Sequence, residues 1–315
     1  MLASTPEHSI CALGQREFKA FRALIHSLTG IWLRDGKQVM VASRLSRRLR
    51  HYGMTDFAEY LSYVQNAPGD SPEIRELINC VTTNKTSFFR ERHHFDYLAG
   101  TVVPELRSAA VRGAPRTIRI WSAASSTGEE PYTIAITLLE ALRRLEIPNP
   151  AAFAQRSQEQ KTPSGALLTP GSWKIEVIAS DVDTNVLDTA RRAVYRADSL
   201  DAVPEILRKQ YFLRGTAAML GQVKVKPEVS RLVEFRRINL NDAQWPLEGR
   251  FDAIFFRNAL IYFQQATQDV FLRKMLRYLK PRGYLFLGNA EHIPWLHDSL
   301  EPLHQTMYRL RDAAV

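Results

Sequence analysis

A run of small residues, Ser122-Ala-Ala-Ser-Ser-Thr-Gly128, leads directly into Glu129-Glu130-Pro131. The apolar stretch Thr117–Ala123 before it reads as a buried strand. The segment after it, with Ile134, Leu138, Leu142 and Leu145 at helical spacing, reads as an amphipathic helix. In an open α/β sheet the ligand lies beyond the carboxyl ends of the strands, so this loop is where a ligand would sit. Its chemistry disfavours a phosphate. A dinucleotide site wants G-x-G-x-x-G, a P-loop wants Lys followed by Ser/Thr, and here two carboxylates occupy the helix start. Carboxylates suit a cationic ligand without phosphate, and S-adenosylmethionine, with its sulfonium and amino group, is such a molecule. The same two glutamates also complement the helix dipole, which needs no ligand at all.

A second candidate strand, Lys174–Ser180, ends in Asp181-Val-Asp183. A carboxylate at that point can accept hydrogen bonds from both hydroxyls of a ribose, and Asp181 is the better placed of the two. Asp183 suits the N-cap of the following helix. His93-His94 lacks the i, i+4 spacing of helix-borne metal ligands and reads as packing or capping.

Alternating strands and helices after about residue 115 predict a mainly parallel sheet covered on both faces. Phe251–Phe256 and Tyr284–Leu287 supply further buried strands, with a helix from about Gln265 to Leu279 between them and Pro281-Arg-Gly283 closing it. The first 85 or so residues read as helices instead. Phe18, Phe21, Leu24, Ile25 and Leu28 form one stripe; Phe57, Tyr60, Leu61 and Val64 another; Ile74, Leu77, Ile78 and Val81 a third. Val223 to Phe235 alternates as a small antiparallel excursion would. Pro148 to Ser172, rich in Pro, Ala, Gln, Ser and Gly, reads as a surface insertion.

The 315 residues carry 42 Lys+Arg against 33 Asp+Glu, a net +9. Gly14–Arg50 contributes +7 and Arg191–Arg237 +6, which leaves −4 for the rest. Two patches point to two partner surfaces rather than a uniform nucleic-acid coat. In Val41–Arg50, Val41, Leu45 and Leu49 make an apolar stripe, while Arg44, Arg47 and Arg48 share another face suited to acidic partners. Two cysteines, Cys11 and Cys80, exclude a disulfide scaffold and favour the cytoplasm. Neither a secretory leader nor a membrane span is expected.

Several blocks together resemble the CheR-type chemoreceptor glutamate methyltransferases: Thr82-Thr-Asn-Lys-Thr-Ser-Phe-Phe-Arg90, Trp121–Tyr132, Ala179–Thr184, Asn239-Leu240, Phe251–Phe263, Leu279–Gly283 and Leu285–Gly288. The resemblance runs from about residue 14 to 310. It implies an all-α domain (1–85) and then a Rossmann-like class I methyltransferase domain (86–315) with an inserted antiparallel β subdomain at about 200–237. It implies S-adenosylmethionine as donor, S-adenosylhomocysteine as product, and glutamates on the cytoplasmic methylation helices of membrane chemoreceptors as acceptors. By motif, the cofactor positions fall on Asn84, Thr86, Arg90, Glu130, Asp181, Asn239, Leu240, Arg257 and Asn258. Arg90 and Tyr262 are the candidates for meeting the acceptor, Arg44, Arg47 and Arg48 for docking it, and the β subdomain for holding a receptor C-terminal peptide.

Two departures stand out. Lys85 occupies a place usually apolar or acidic, and Gly288-Asn-Ala-Glu291 replaces Gly-His-Ser-Glu. A nucleic-acid methyltransferase is the weaker reading, since Asn/Asp-Pro-Pro-Tyr and Pro-Cys motifs are missing. A non-catalytic adenosylmethionine-binding regulator is the other alternative.

Overall fold

Four helices come first in the computed structural model, which describes residues 10–146 and 173–312. They are α1 (Gln15–Thr29), α2 (Gln38–Tyr52), α3 (Phe57–Gln65) and α4 (Pro72–Val81). Asp56 and Ser71 cap α3 and α4 through their side chains, as short polar residues do at helix starts. The apolar stripes converge on one core containing Phe18, Phe21, Val41, Leu45, Tyr60 and Leu77.

The arginine face of α2 is not the free surface its spacing suggests. Arg44 donates to the carbonyls of Val81 (2.9 Å) and Thr82 (2.7 Å), satisfying the open end of α4. Arg48 binds the buried Glu73 through two nitrogens, and Tyr52 and Tyr60 donate to the same carboxylate. Burial works to raise Glu73, but these donors outweigh it and hold the carboxyl below its usual range. Arg47 alone of the three is exposed. Amphipathic spacing locates a face; it does not reveal that the next helix lies against it.

A linking stretch follows, with α5 (His93–Tyr97) and α6 (Val103–Val111) joined by a wider π turn. Then come β1 (Thr117–Ala123), α7 (Glu129–Glu146), β2 (Lys174–Asp181) and α8 (Thr184–Arg192). The insertion expected at Pro148–Ser172 lies outside the described residues. Next are β3 (Val194–Arg196), α9 (Glu205–Tyr211), β4 (Phe212–Arg214), β5 (Gln222–Val225), α10 (Pro227–Ser230) and β6 (Val233–Arg237). The chain continues through β7 (Phe251–Phe256), α11 (Gln265–Leu276), β8 (Leu279–Leu287), β9 (Leu300–Pro302) and β10 (Met307–Leu310).

The main sheet runs β6-β2-β1-β7-β8-β10-β9, with β6 through β8 parallel and the last two strands antiparallel. Its two faces carry separate cores, one around Phe255, Phe286 and Ile120, the other around Trp121, Phe256 and Leu272. Strand order reverses between β1 and β7, which opens a crevice at their carboxyl ends.

Two expectations need correcting. The small sheet, β3-β5-β4, spans Val194–Val225 rather than 200–237. Val233–Phe235 pairs with β2 in the main sheet instead. Pro227 explains this: it starts a helical turn that cuts one alternating run into strands of two different sheets. Likewise, α11 ends at Leu276, and Pro281–Gly283 lie within β8, where the register to β7 is irregular.

Candidate active site

At the end of β1 the chain turns through two left-handed residues, Ala124 and Ser126, before Gly128 at φ +96°. A side chain at Gly128 would strike Ala190 and the Tyr195 hydroxyl, so the close approach of α8 requires glycine here. Asp181, at the end of β2, fixes this turn from beneath. Its two oxygens accept the amides of Ser126 (2.9 Å) and Asp183 (3.0 Å). Burial pushes the Asp181 carboxyl up to about 6, and these backbone donors restrain the rise. Asp183 caps α8, as its position suggested, and also accepts from Thr82 (2.6 Å) and Asn84 (2.7 Å).

The two glutamates separate. Glu130 lines the cleft, accepting from Ser122 (2.8 Å) and from Arg257 (2.9 Å) at the end of β7. Burial raises its pKa, against the opposing pull of Arg257. Glu129 turns away and accepts from Thr127, so it takes no part in the cleft. Pro131 is the third residue of α7.

Arg257 is the hub. Its guanidinium lies over the Phe95 ring at 5.3 Å, pairs with Glu130 and Glu91, and donates to the Arg90 carbonyl. Asn258 donates to the other oxygen of Glu91 at 3.0 Å. For Glu91, burial favours a higher pKa, yet Asn258 and the Arg257 charge win and hold it low. Phe89 and Glu91, on either side of Arg90, both have left-handed backbones. Arg90 rests its side chain on the Lys85 carbonyl at 2.9 Å.

Glu291 ties down the far loop by accepting the amides of Asn258, Leu260 and Gly288. A side chain at Gly288 would run into Asn258, so this glycine is a packing necessity. His94 is buried, within 3.3 Å of the Thr306 hydroxyl and edge-on to Phe286. Burial first, then Arg257, presses its pKa down to about 3, so it stays neutral.

One cavity of about 450 Å³ brings these groups together. It is lined by Asn84, Thr86, Arg90, Glu130 and Asp181, and by Asn239, Leu240, Arg257, Asn258 and Tyr262. Every cofactor and acceptor candidate from the sequence is therefore on its wall. Asn84 and Asn239 are among those whose side chains are engaged within the protein: Asn84 on Asp183, and Asn239 on the Leu28 carbonyl (2.7 Å). The sequence missed Glu91 and Ser125. It also missed a whole wall: Thr29, Trp32, Arg34, Lys37 and Met40 of the helical domain reach the cavity. Trp32 donates to the Tyr262 carbonyl (2.8 Å), and Ile31 forms a β-bridge with Phe263.

The residues fit S-adenosylmethionine. Glu130, on the cavity wall, offers a carboxylate to a cationic amino group, and Arg257, which it shares with Glu91, fixes its place. Asp181 offers acceptor capacity to ribose hydroxyls. Ser125 is 1% exposed, lines the cavity, and its hydroxyl finds no partner within the protein. Val182, Ile238 and Leu240 give an apolar wall. The volume falls in the roughly 300–1,000 Å³ range of small-molecule clefts.

A seven-stranded sheet of this order, with Glu130 and Asp181 in a cleft at its switch point, defines a class I S-adenosylmethionine-dependent methyltransferase. The chain belongs to the CheR methyltransferase family. The CheR methyltransferase SAM-binding domain matches residues 84–149 and 165–309, and the CheR methyltransferase all-alpha domain matches 16–82. It is 40% identical over 294 residues to chemotaxis protein methyltransferase 2 of Pseudomonas aeruginosa, covering 93% of this chain and 92% of that one. Identity to the chemotaxis protein methyltransferase of Salmonella typhimurium is 41% over 299 residues (95% and 91%). For that of Escherichia coli it is 40% over 299 residues (95% and 92%). Among the described residues no helix is long and apolar enough to cross a membrane, and no cluster of metal-ligating side chains is present.

Proposed function

We propose that this enzyme methylates glutamate side chains on the cytoplasmic methylation helices of chemoreceptors, giving glutamate methyl esters and S-adenosylhomocysteine. The observation that carries the reading is Arg90, a cation with no ion-pair partner among the described residues, on the wall of the cavity that Glu130 and Asp181 line. Bound S-adenosylmethionine supplies an electrophilic methyl on sulfur that departs as a neutral thioether.

A glutamate acceptor has an ordinary pKa near 4.3, so it arrives ionised at pH 7 and no residue has to remove a proton. Positioning and electrostatics carry the catalysis. Arg90 orients the acceptor carboxylate, its own place fixed by the Lys85 carbonyl and by Arg257 beneath its peptide. Tyr262, on the opposite lip, is the second group within reach of the acceptor. Glu130 would hold the amino-acid end of the cofactor and Asp181 its ribose.

Arg47 is the member of the α2 arginine face available to an acidic receptor helix, since Arg44 and Arg48 are bound internally. The small sheet supports a role for a receptor tail peptide. Its edge strand β4 exposes Leu213, and Ile206, Met219 and Leu220 nearby are also exposed. An extended peptide could add there as a strand.

The test is incubation with radiolabelled S-adenosylmethionine and receptor-rich membranes. Base-labile counts released as methanol establish a carboxyl methyl ester. Base-stable counts, or none, defeat the reading.

A further inference from the structure

The mouth of the cavity carries more positive charge than holding the cofactor requires. Arg34 and Lys37 reach it from the loop between α1 and α2, and Lys85 and Arg90 from the segment after α4. Among the described residues none of these four has a carboxylate at ion-pair distance, whereas Arg257 has two. The carboxylates on the cavity wall, Glu130 and Asp181, are committed deeper in: Glu130 to Arg257 and Ser122, Asp181 to two backbone amides. Among the described residues no carboxylate pairs with the rim.

Lys85 is tied to Arg90 through its backbone. The Arg90 guanidinium rests on its carbonyl at 2.9 Å, so the Lys85 ammonium hangs from the residue on which Arg90 is anchored. Lys85 and Lys37 are both exposed and belong to different domains. An acceptor helix that presents one glutamate to Arg90 also presents its neighbours three and four residues away on the same face. Those neighbours arrive at unpaired cations.

We propose that Lys85, with Lys37 across the mouth, selects acceptor glutamates that have a second carboxylate about one helical turn away. This rests on the function proposed above and adds an acceptor preference to it. Exposed ion pairs are individually weak, so the expected discrimination is modest, about two- to fivefold in KM.

The test uses a receptor cytoplasmic fragment reduced to one acceptor glutamate, with Glu, Gln or Lys one turn away. Methyl transfer is followed from radiolabelled S-adenosylmethionine. The wild-type enzyme is expected to show about two- to fivefold lower KM for the Glu fragment than for the Gln fragment, with similar kcat. The preference should disappear at about 1 M salt, where the screening length is about 3 Å. Lys85→Glu should invert it in favour of the Lys fragment. Equal KM for the Glu and Gln fragments with the wild type, or an unaltered preference in Lys85→Glu, overturns the proposal. If the wild type binds S-adenosylhomocysteine but methylates no fragment and no receptor membrane, the function proposed above falls and takes this with it.

Discussion

Asp181 combines two demands that conflict at low pH. Its pKa is raised to about 6 by burial, yet it must be ionised to accept from ribose hydroxyls. For the protein alone, a carboxyl raised above its unfolded value weakens the fold above pH 6, and that penalty is relieved as pH falls towards 4. For ligand binding the sign is opposite, since a proton on Asp181 removes acceptor capacity. S-adenosylhomocysteine affinity should therefore fall between pH 7 and pH 5, by up to about tenfold per unit, since one pKa unit corresponds to a tenfold equilibrium. Asp181→Asn should bind more weakly at pH 7 and show a shallower slope; calorimetry across that range decides, and an equal slope in the variant assigns the titration elsewhere. Arg90→Ala should lower kcat/KM for receptor by roughly 10- to 150-fold, the worth of about 1.5–3 kcal/mol for a hydrogen bond to a charged group. Near-normal turnover would remove Arg90 from the acceptor site. At this scale the strand-end position singled out Asp181, whereas Arg257 was named only by the resemblance to the family. Glu91 escaped because its role depends on the left-handed turn around Arg90, which no local pattern announces.

The α2 helix shows where element-level reading stops. Spacing correctly grouped Val41, Leu45 and Leu49 inward. It could not tell that Arg44 and Arg48 face α4, because that depends on how two helices dock. The structure separates the arginines by consequence. Arg48 pairs with a Glu73 that is 5% exposed, so Arg48→Ala strands a buried charge and should destabilise the protein by about 3–5 kcal/mol. Urea denaturation measures this, and a loss below about 1 kcal/mol would mean the pair behaves as a surface one. Arg47→Glu should leave the denaturation midpoint in place and raise KM for receptor without changing S-adenosylhomocysteine affinity. A shift in cofactor affinity there would mean that α2 is not a docking element. The small sheet makes the same point: alternation in Val223–Phe235 signalled strand, but the sheet each half joins was decided by Pro227 and by the partner strands.

For the whole molecule, the helical start of the chain and the mainly parallel sheet after it were legible from the change in periodicity; the strand order was not. Nor was their joint construction of the cleft. Residues 30–37 have no periodic pattern, and a loop without one gives no sign of what it packs against. In the structure that loop is the lid edge of the cofactor cavity. Trp32 donates to Tyr262, Ile31 bridges Phe263, and Asn239 and Asn241 reach the carbonyls of Leu28 and Ser27. The contacts are few and polar, so local opening should be cheap compared with global unfolding. A ligand held between the two walls binds only the closed arrangement and must suppress opening by its own binding free energy. Saturating S-adenosylhomocysteine should accordingly slow amide exchange in two segments far apart in sequence, Ile31–Leu33 and Ala259–Phe263, by a similar factor. Exchange within α3, which does not line the cavity, should stay unchanged. Hydrogen-exchange mass spectrometry with and without ligand reads all three segments at once. Protection confined to Ala259–Phe263 would show that the helical domain is only a neighbour of the cleft, whereas joint protection makes it a working wall through which a docked acceptor can feel the cofactor.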